Sequence, residues 1–88
     1  MVTWQIVYSK QARLDAKKLR RSKLQYAAQE LLDIIARNPF EEPPPVKSLV
    51  GDLAGMYSRR ISYQHRLVYD VDEESRTVHV LRMWTHYE

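Results

Sequence analysis

The residue types best suited to chemistry lie in the second half of the chain, where arginines and histidines are interspersed with tyrosines. Arg60 and Arg66 flank one predicted hairpin turn, and His86-Tyr87 lies at the end of the sequence. A histidine exchanges a proton near neutral pH, a guanidinium binds phosphate through paired hydrogen bonds, and an aromatic ring stacks on an exposed RNA base. These properties suit binding and cleavage of single-stranded RNA, whose own 2′-hydroxyl serves as the nucleophile. The same region also holds Tyr57, Arg59, Tyr63, His65 and Arg82.

Each of these features also has a purely structural interpretation. Arg59 and Arg60 could lie on the solvent-exposed side of an edge strand, and His65 could form a hydrogen bond within a turn. The tyrosines of this region could pack against a sheet rather than against bases. Residue types alone therefore leave both interpretations open.

Composition excludes several other classes of function. The 88 residues are 44% hydrophobic and 28% charged, which suits one folded domain spanning residues 1–88. The absence of cysteine excludes disulfides, thiolate zinc sites and a cysteine nucleophile. The three histidines lack the spacing of a metal site, and there is no phosphate loop, dinucleotide fingerprint or nucleophile elbow. We therefore expect no metal and no cofactor.

The sequence also predicts a cytoplasmic protein. No apolar run approaches the ~20 residues that span a bilayer, and the first eight residues are too short and too mixed for a signal peptide. A small domain without disulfides suits a reducing compartment.

Positive charge is concentrated in one segment. Residues 10–23 hold seven basic side chains and a single acid, Asp15, whereas the whole chain has a net charge of +3. Such a field favours a polyanion or an acidic partner, although a solvated helix face gives the same pattern.

The first half of the chain predicts a strand and two helices. Residues 3–8 alternate as a strand does, and Ser9 can cap the helix that follows. Apolar residues at helical spacing predict a second helix from about Ser22 or Lys23, which Asn38-Pro39 ends. Both helices present an apolar face that a sheet must cover.

The second half predicts three strands, over residues 56–62, 66–71 and 76 to about 84. Gly51 and Gly55 bracket a turn before the first of them, and residues 72–75 form a polar turn before the last. Apolar residues of both parities in the last strand predict an interior strand covered on both faces. The order β-α-α-β-β-β predicts an α+β fold, a helical hairpin on a mainly antiparallel sheet.

Several motifs together resemble one family. They are Asn38-Pro39-Phe40, the turn Leu53-Ala54-Gly55, Ser58-Arg59-Arg60-Ile61, His65-Arg66-Leu67-Val68-Tyr69 and the ending Met83-Trp84-Thr85-His86-Tyr87-Glu88. In this combination the chain resembles the Txe/YoeB toxins of the RelE/ParE superfamily, which belong to bacterial toxin–antitoxin systems. The resemblance covers essentially the whole chain and implies a RelE-like fold.

The resemblance implies a ribosome-dependent endoribonuclease that cuts mRNA in the decoding site and so inhibits translation. Arg60 and Arg66 would contact the scissile phosphate, His86 would be the general acid, and Tyr87 would orient the substrate or stack on a base. The products would be a 2′,3′-cyclic phosphate and a 5′-hydroxyl, and no metal would be required. The partners would be the ribosome, mRNA and a YefM-type antitoxin. The toxin itself would form a homodimer or a hetero-oligomer with the antitoxin.

One position departs from the family. Six residues before the leucine of the Leu-x-Gly turn, where the family usually has a glutamate as general base, this chain has Lys47. Lys47 is our first candidate for the general base, and a lysine acts as a base only in its neutral form. The alternatives are that Glu41 or Glu42 reaches in from the proline-rich segment, that His65 is the base, or that the enzyme is weakened.

Under this interpretation further residues would contact RNA. Tyr57 and Arg59 lie beside the catalytic candidates, and the basic segment would bind ribosomal RNA through Lys17, Lys18, Arg20 and Arg21. Two competing functions use the same scaffold: a ParE-like toxin that binds and inhibits DNA gyrase without chemistry, and a general RNA-binding protein that does not need ribosomes.

Overall fold

The structure is a computed structural model that describes residues 4–85, with side chains described as far as residue 83. It contains one sheet and two helices. In chain order the elements are β1 (Gln5–Tyr8), α1 (Lys10–Arg20), α2 (Gln25–Arg37), β2 (Lys47–Ser48), a 3₁₀ turn (Gly51–Leu53), β3 (Met56–Arg60), β4 (Arg66–Asp72) and β5 (Thr77–Thr85).

The five strands form a single sheet in the order β1-β5-β4-β3-β2. β1 runs parallel to β5, and all the other neighbours are antiparallel. The predicted α+β fold with a mainly antiparallel sheet is therefore confirmed. The sequence did not predict β2, because two residues between a proline-rich segment and a glycine turn carry no strand periodicity.

Ser9 joins β1 to α1 and ties both to β5. Its hydroxyl accepts a hydrogen bond from the amide of Ala12 (2.9 Å) and donates one to the carbonyl of Leu81 (2.9 Å). The predicted N-cap is thus confirmed. Ala12 and Leu19 form the buried stripe of α1 against the sheet.

α2 begins later than predicted, at Gln25, because Ser22 organises the connection between the helices. The Ser22 hydroxyl donates to the carbonyl of Leu19 (3.0 Å) and accepts from the amide of Leu24 (3.0 Å). The helix ends at Arg37, where Asn38 adopts an extended conformation before proline, as predicted. Its buried face consists of Ala28, Leu31, Leu32 and Ile35. Among the described residues, neither helix is long and apolar enough to cross a membrane.

β5 lies in the interior of the sheet, between β1 and β4, as predicted. The interpretation that it is covered on both faces is wrong. β5 has one extra residue against β4 between Val80 and Arg82, and another between Arg82 and Thr85. The first of these bulges reverses the alternation, so Val80 and Met83 join the same core despite their opposite parity. On the other face the side chain of His79 is 45% exposed. A β-bulge, rather than a second covering layer, explains the mixed pattern.

Candidate active site

β3 separates two groups of side chains by the alternation of a strand. Tyr57 packs on the core that the helices cover, whereas Ser58 lies on the opposite face, where its hydroxyl contacts Arg66. Arg59 and Arg60 continue this alternation. The face of the sheet away from the helices therefore carries Ser58 and Arg60, and we call it the polar face.

The polar face brings together three of the predicted catalytic residues. Lys47 of β2 is in register with Ser58, and Arg60 is in register with Arg66. The Nε atom of Arg66 donates a hydrogen bond of 2.7 Å to Oγ of Ser58. Neighbouring strands lie about 4.8 Å apart, so the backbones of β2 and β4, which carry Lys47 and Arg66, lie roughly 10 Å apart.

Arg60 and Arg66 differ in exposure. Arg60 is exposed, whereas Arg66 is half-buried and held by Ser58. Like charges directly opposite one another on a sheet repel, and an anion bound between them would relieve that repulsion. Because Arg60 is the last residue of β3, it lies at the edge of the polar face and also borders a cleft of about 410 Å³ between α2 and Pro43-Pro44.

The predicted general acid His86 and its neighbour Tyr87 lie outside the described residues. The last residue of β5, Thr85, is in register with Arg66.

The structure gives Arg59 a different place from the predicted RNA contact. Its guanidinium is fully buried and donates to the carbonyls of Pro39, Glu41 and Pro44 and to the hydroxyl of Tyr69. All of these contacts are to the protein itself, so Arg59 is not available to bind RNA. The prediction fails because residues 59 and 60 alternate across the strand, and only Arg60 is exposed.

Tyr57 is also placed differently from its predicted role as an RNA contact. Its ring meets the edge of Phe40 with the ring centres 5.5 Å apart, and it lies beside Tyr69 at 5.8 Å. The ring therefore belongs to the packing between the sheet and the residues after α2, as the structural alternative proposed.

Two of the alternatives for the general base, Glu41 and Glu42, are engaged elsewhere. Glu41 forms a bidentate pair with Arg37, at 3.0 and 2.8 Å, and the Arg37 hydrogen bond lowers the pKa of the Glu41 carboxyl. An oxygen of Glu42 accepts from the amide of Val46 (3.0 Å). The third alternative, His65, is half-buried in the β3–β4 turn, where its backbone carbonyl accepts from the amide of Ile61 (2.9 Å). This bond does not engage the imidazole, so His65 stays an alternative to Lys47. Lys47 is exposed on the polar face.

The basic segment forms an exposed surface of α1, apart from the polar face. Ala12 and Leu19 of α1 belong to the core that the helices cover, whereas Lys47 lies on the polar face. The larger cavity, about 630 Å³, lies between α1 and α2 and away from the catalytic candidates. The exposed cations predicted to contact RNA are Lys17, Lys18, Arg20 and Arg21.

Asp15 is a structural residue that the sequence reasoning missed. It is fully buried, and its carboxylate accepts from the amide of Met83 (2.9 Å), from Nε of Arg82 (2.9 Å) and from the side chain of Gln11 (3.2 Å). Burial raises the pKa of Asp15, but these hydrogen bonds outweigh burial and leave the pKa below its ordinary value. The available signal was position, because residue 15 lies on the stripe between Ala12 and Leu19.

Comparison with known proteins identifies the family. A sequence model described as the YoeB-like toxin of bacterial type II toxin–antitoxin systems matches residues 8–87. The chain belongs to the YoeB-like toxins. It is similar to toxin YoeB of Escherichia coli K12, with 40% identity over 58 residues, which cover 66% of this chain and 67% of that protein.

Solved structures agree with this assignment. The YoeB/ParE toxin from Agrobacterium tumefaciens superposes with a TM-score of 0.86 at 28% identity, covering 94% of this chain and 99% of the other. A YoeB–YefM complex from Staphylococcus aureus gives a TM-score of 0.80 at 34% identity, with 96% and 98% covered. The fold of this YoeB-like toxin is therefore that of RelE-like toxins, as the motifs implied.

Proposed function

We propose that this YoeB-like toxin is a ribosome-dependent mRNA endoribonuclease whose catalytic surface is the polar face. The observation that carries the proposal is the juxtaposition of Lys47 and Arg60 with an Arg66 side chain fixed by Ser58. The two arginines supply positive charge that stabilises the charge developing on a phosphate during cleavage, and Lys47 lies beside them as the base.

The reaction uses the 2′-hydroxyl of the mRNA as its nucleophile. Neutral Lys47 removes the proton from the 2′-hydroxyl, and O2′ forms a bond to the adjacent phosphorus. The bond from phosphorus to O5′ breaks, and His86 gives a proton to the departing O5′. Arg60 and Arg66 neutralise the phosphorane-like charge. The products are a 2′,3′-cyclic phosphate and a 5′-hydroxyl.

The ribosome supplies what a small domain lacks. Orienting the 2′-hydroxyl in line with the bond that breaks is an entropic requirement, and a bound codon in the decoding site meets it. The exposed cations of α1 would hold the toxin to ribosomal RNA. Naked RNA should therefore not be cut at a detectable rate. We propose the cytoplasm, where ribosomes translate mRNA, as the location of the protein.

We propose a YefM-type antitoxin as the partner that holds the toxin inactive. The support is the family, together with the complex of a similar toxin with YefM in Staphylococcus aureus. Co-expression with a YefM-type antitoxin should restore growth that the toxin alone arrests.

The test is cleavage of one defined mRNA, free or bound to purified ribosomes, with analysis of the ends produced. The proposal expects cuts on the ribosome only, with 5′-hydroxyl ends that a kinase labels without prior phosphatase treatment. Equal cutting of free RNA would favour a general RNA-binding nuclease. If intact protein makes no cuts on ribosomes, gyrase inhibition becomes the next activity to assay.

A further inference from the structure

The buried side chain of Arg59 forms hydrogen bonds to the segment that precedes Lys47. This segment, the proline connection (residues 39–46), links α2 to β2 without regular secondary structure. Three of its carbonyl groups accept from one guanidinium: Nη2 of Arg59 donates to Pro39 (3.0 Å) and Glu41 (2.8 Å), and Nη1 donates to Pro44 (2.9 Å). Successive parts of the connection are thus tied to one point on β3.

A tyrosine completes the arrangement. Nε of Arg59 donates to the hydroxyl of Tyr69 (3.1 Å), which in turn donates to the carbonyl of Pro39 (2.7 Å). Both Arg59 and Tyr69 are fully buried. Buried hydrogen bonds to a charged donor are stronger than those between neutral groups, and the planar guanidinium fixes the directions of its donors.

We propose that Arg59 is a positioning residue for catalysis, which acts through Lys47; this inference rests on the proposed function. β2, which holds Lys47, has only two residues, and it begins directly after the proline connection. On β3, Ser58 fixes Arg66 on the polar face while the next residue, Arg59, fixes the connection on the other face. One strand therefore sets the separation between the base and the phosphate-binding arginine.

The first test is kinetic and compares Arg59→Met with Lys47→Ala. Misplacement of a catalytic group by about 1 Å lowers a rate on the order of 100-fold, so Arg59→Met should lower kcat by that factor while KM for programmed ribosomes changes by less than about threefold. Because Arg59 acts through Lys47, the double variant should cut no more slowly than Lys47→Ala alone. If the two losses multiply instead, the proposal is overturned.

The second test does not depend on RNA cleavage. Lys-specific proteolysis after Lys47 is compared with proteolysis after Lys23, which serves as an internal reference in the connection between the helices. Loss of the three carbonyl contacts should speed the cut after Lys47 about tenfold, because local opening controls proteolysis. An unchanged ratio overturns the positioning role. Arg59→Met could speed the cut after Lys47 while wild-type protein fails to cut mRNA. In that case the proposed RNase function fails, but the result still shows that Arg59 holds the proline connection.

Two further variants guard against unfolding and non-specific effects. Tyr69→Phe keeps the core ring and removes the hydroxyl that accepts from Nε of Arg59 and donates to Pro39. The three bonds from Arg59 to the proline connection remain, so this variant should fold and show smaller changes in the same direction. Arg37→Met removes an exposed pair to the side chain of Glu41 in the same connection, and we expect both readouts to stay within about twofold of wild type. The proposal is contradicted if Tyr69→Phe has the wild-type kcat and the wild-type rate of proteolysis after Lys47. It is also contradicted if Arg37→Met changes these two quantities as much as Arg59→Met does.

Discussion

Replacement of Asp15 should destabilise the fold more than any surface acid does. Asp15→Ala leaves the buried amide of Met83 without its acceptor and removes the counter-charge of Arg82, whose side chain is 31% exposed. An unsatisfied buried amide costs about 1–3 kcal/mol, and breaking a buried ion pair costs up to about 5. Since Arg82 can partly rehydrate, we expect a loss of about 3 kcal/mol, which lowers Tm by about 15 °C.

The same carboxylate makes stability depend on pH. The pKa of Asp15 is lower in the folded than in the unfolded chain, because its hydrogen bonds outweigh the effect of burial. The folded state therefore binds fewer protons, and the stabilisation is complete above the unfolded pKa, about 4. It is lost as the pH falls through the lower folded pKa. The stability difference between wild type and Asp15→Asn should accordingly narrow below about pH 4.

The assay is urea unfolding followed by circular dichroism from pH 7 to pH 3, with Asp33→Ala as the matched control. Asp33 accepts from Gln29 four residues earlier (2.9 Å), as Asp15 accepts from Gln11, but Asp33 is exposed. Its replacement should change stability by no more than about 0.5 kcal/mol. Equal losses for the two alanine variants, or a gap between wild type and Asp15→Asn that stays constant with pH, would refute the reasoning.

Two further predictions concern the RNase. Ser58→Ala removes the acceptor that holds Arg66 and should lower cleavage about tenfold, whereas Ser48→Ala on exposed β2 should not; equal rates for the two variants would show that the hydroxyl does not orient Arg66. Reversing the charge of four α1 cations should weaken ribosome binding and reduce the slope of log K against log salt concentration by about 3. Lys10→Glu, the control, should change this slope by about 1. An unchanged slope for the fourfold variant would show that α1 does not bind RNA. The four residues changed to glutamate are Lys17, Lys18, Arg20 and Arg21.

Local patterns predicted most of the fold because each element is encoded locally. Ser9 caps α1 through its own hydroxyl, and Asn38-Pro39 ends α2 through the steric restriction before proline. The covering of β5 was predicted incorrectly, because a bulge shifts parity between Val80 and Met83 and mimics a strand with two apolar faces. A bulge depends on the partner strand, which periodicity within one strand does not reveal.

The candidate site was predicted only in part, for the same reason. Strand alternation and register could place Arg60 and Arg66 together, and Lys47 was found through the resemblance to a family. Arg59 was assigned to RNA because adjacent arginines look alike in a sequence, yet one face of β3 is buried and the other is not. The carbonyls that accept from Arg59 come from residues 15 to 20 positions away, so their contact is a property of the tertiary fold.

The central claim is that the polar face cuts mRNA on the ribosome. It is tested most directly by a translation reaction programmed with one defined mRNA, in which primer extension maps the cuts made by wild type, Lys47→Ala and His86→Ala. We predict cuts at codons in the decoding site that both variants reduce by at least about 100-fold. Full cleavage by Lys47→Ala and His86→Ala, or no cuts by the folded wild-type protein, would contradict the account.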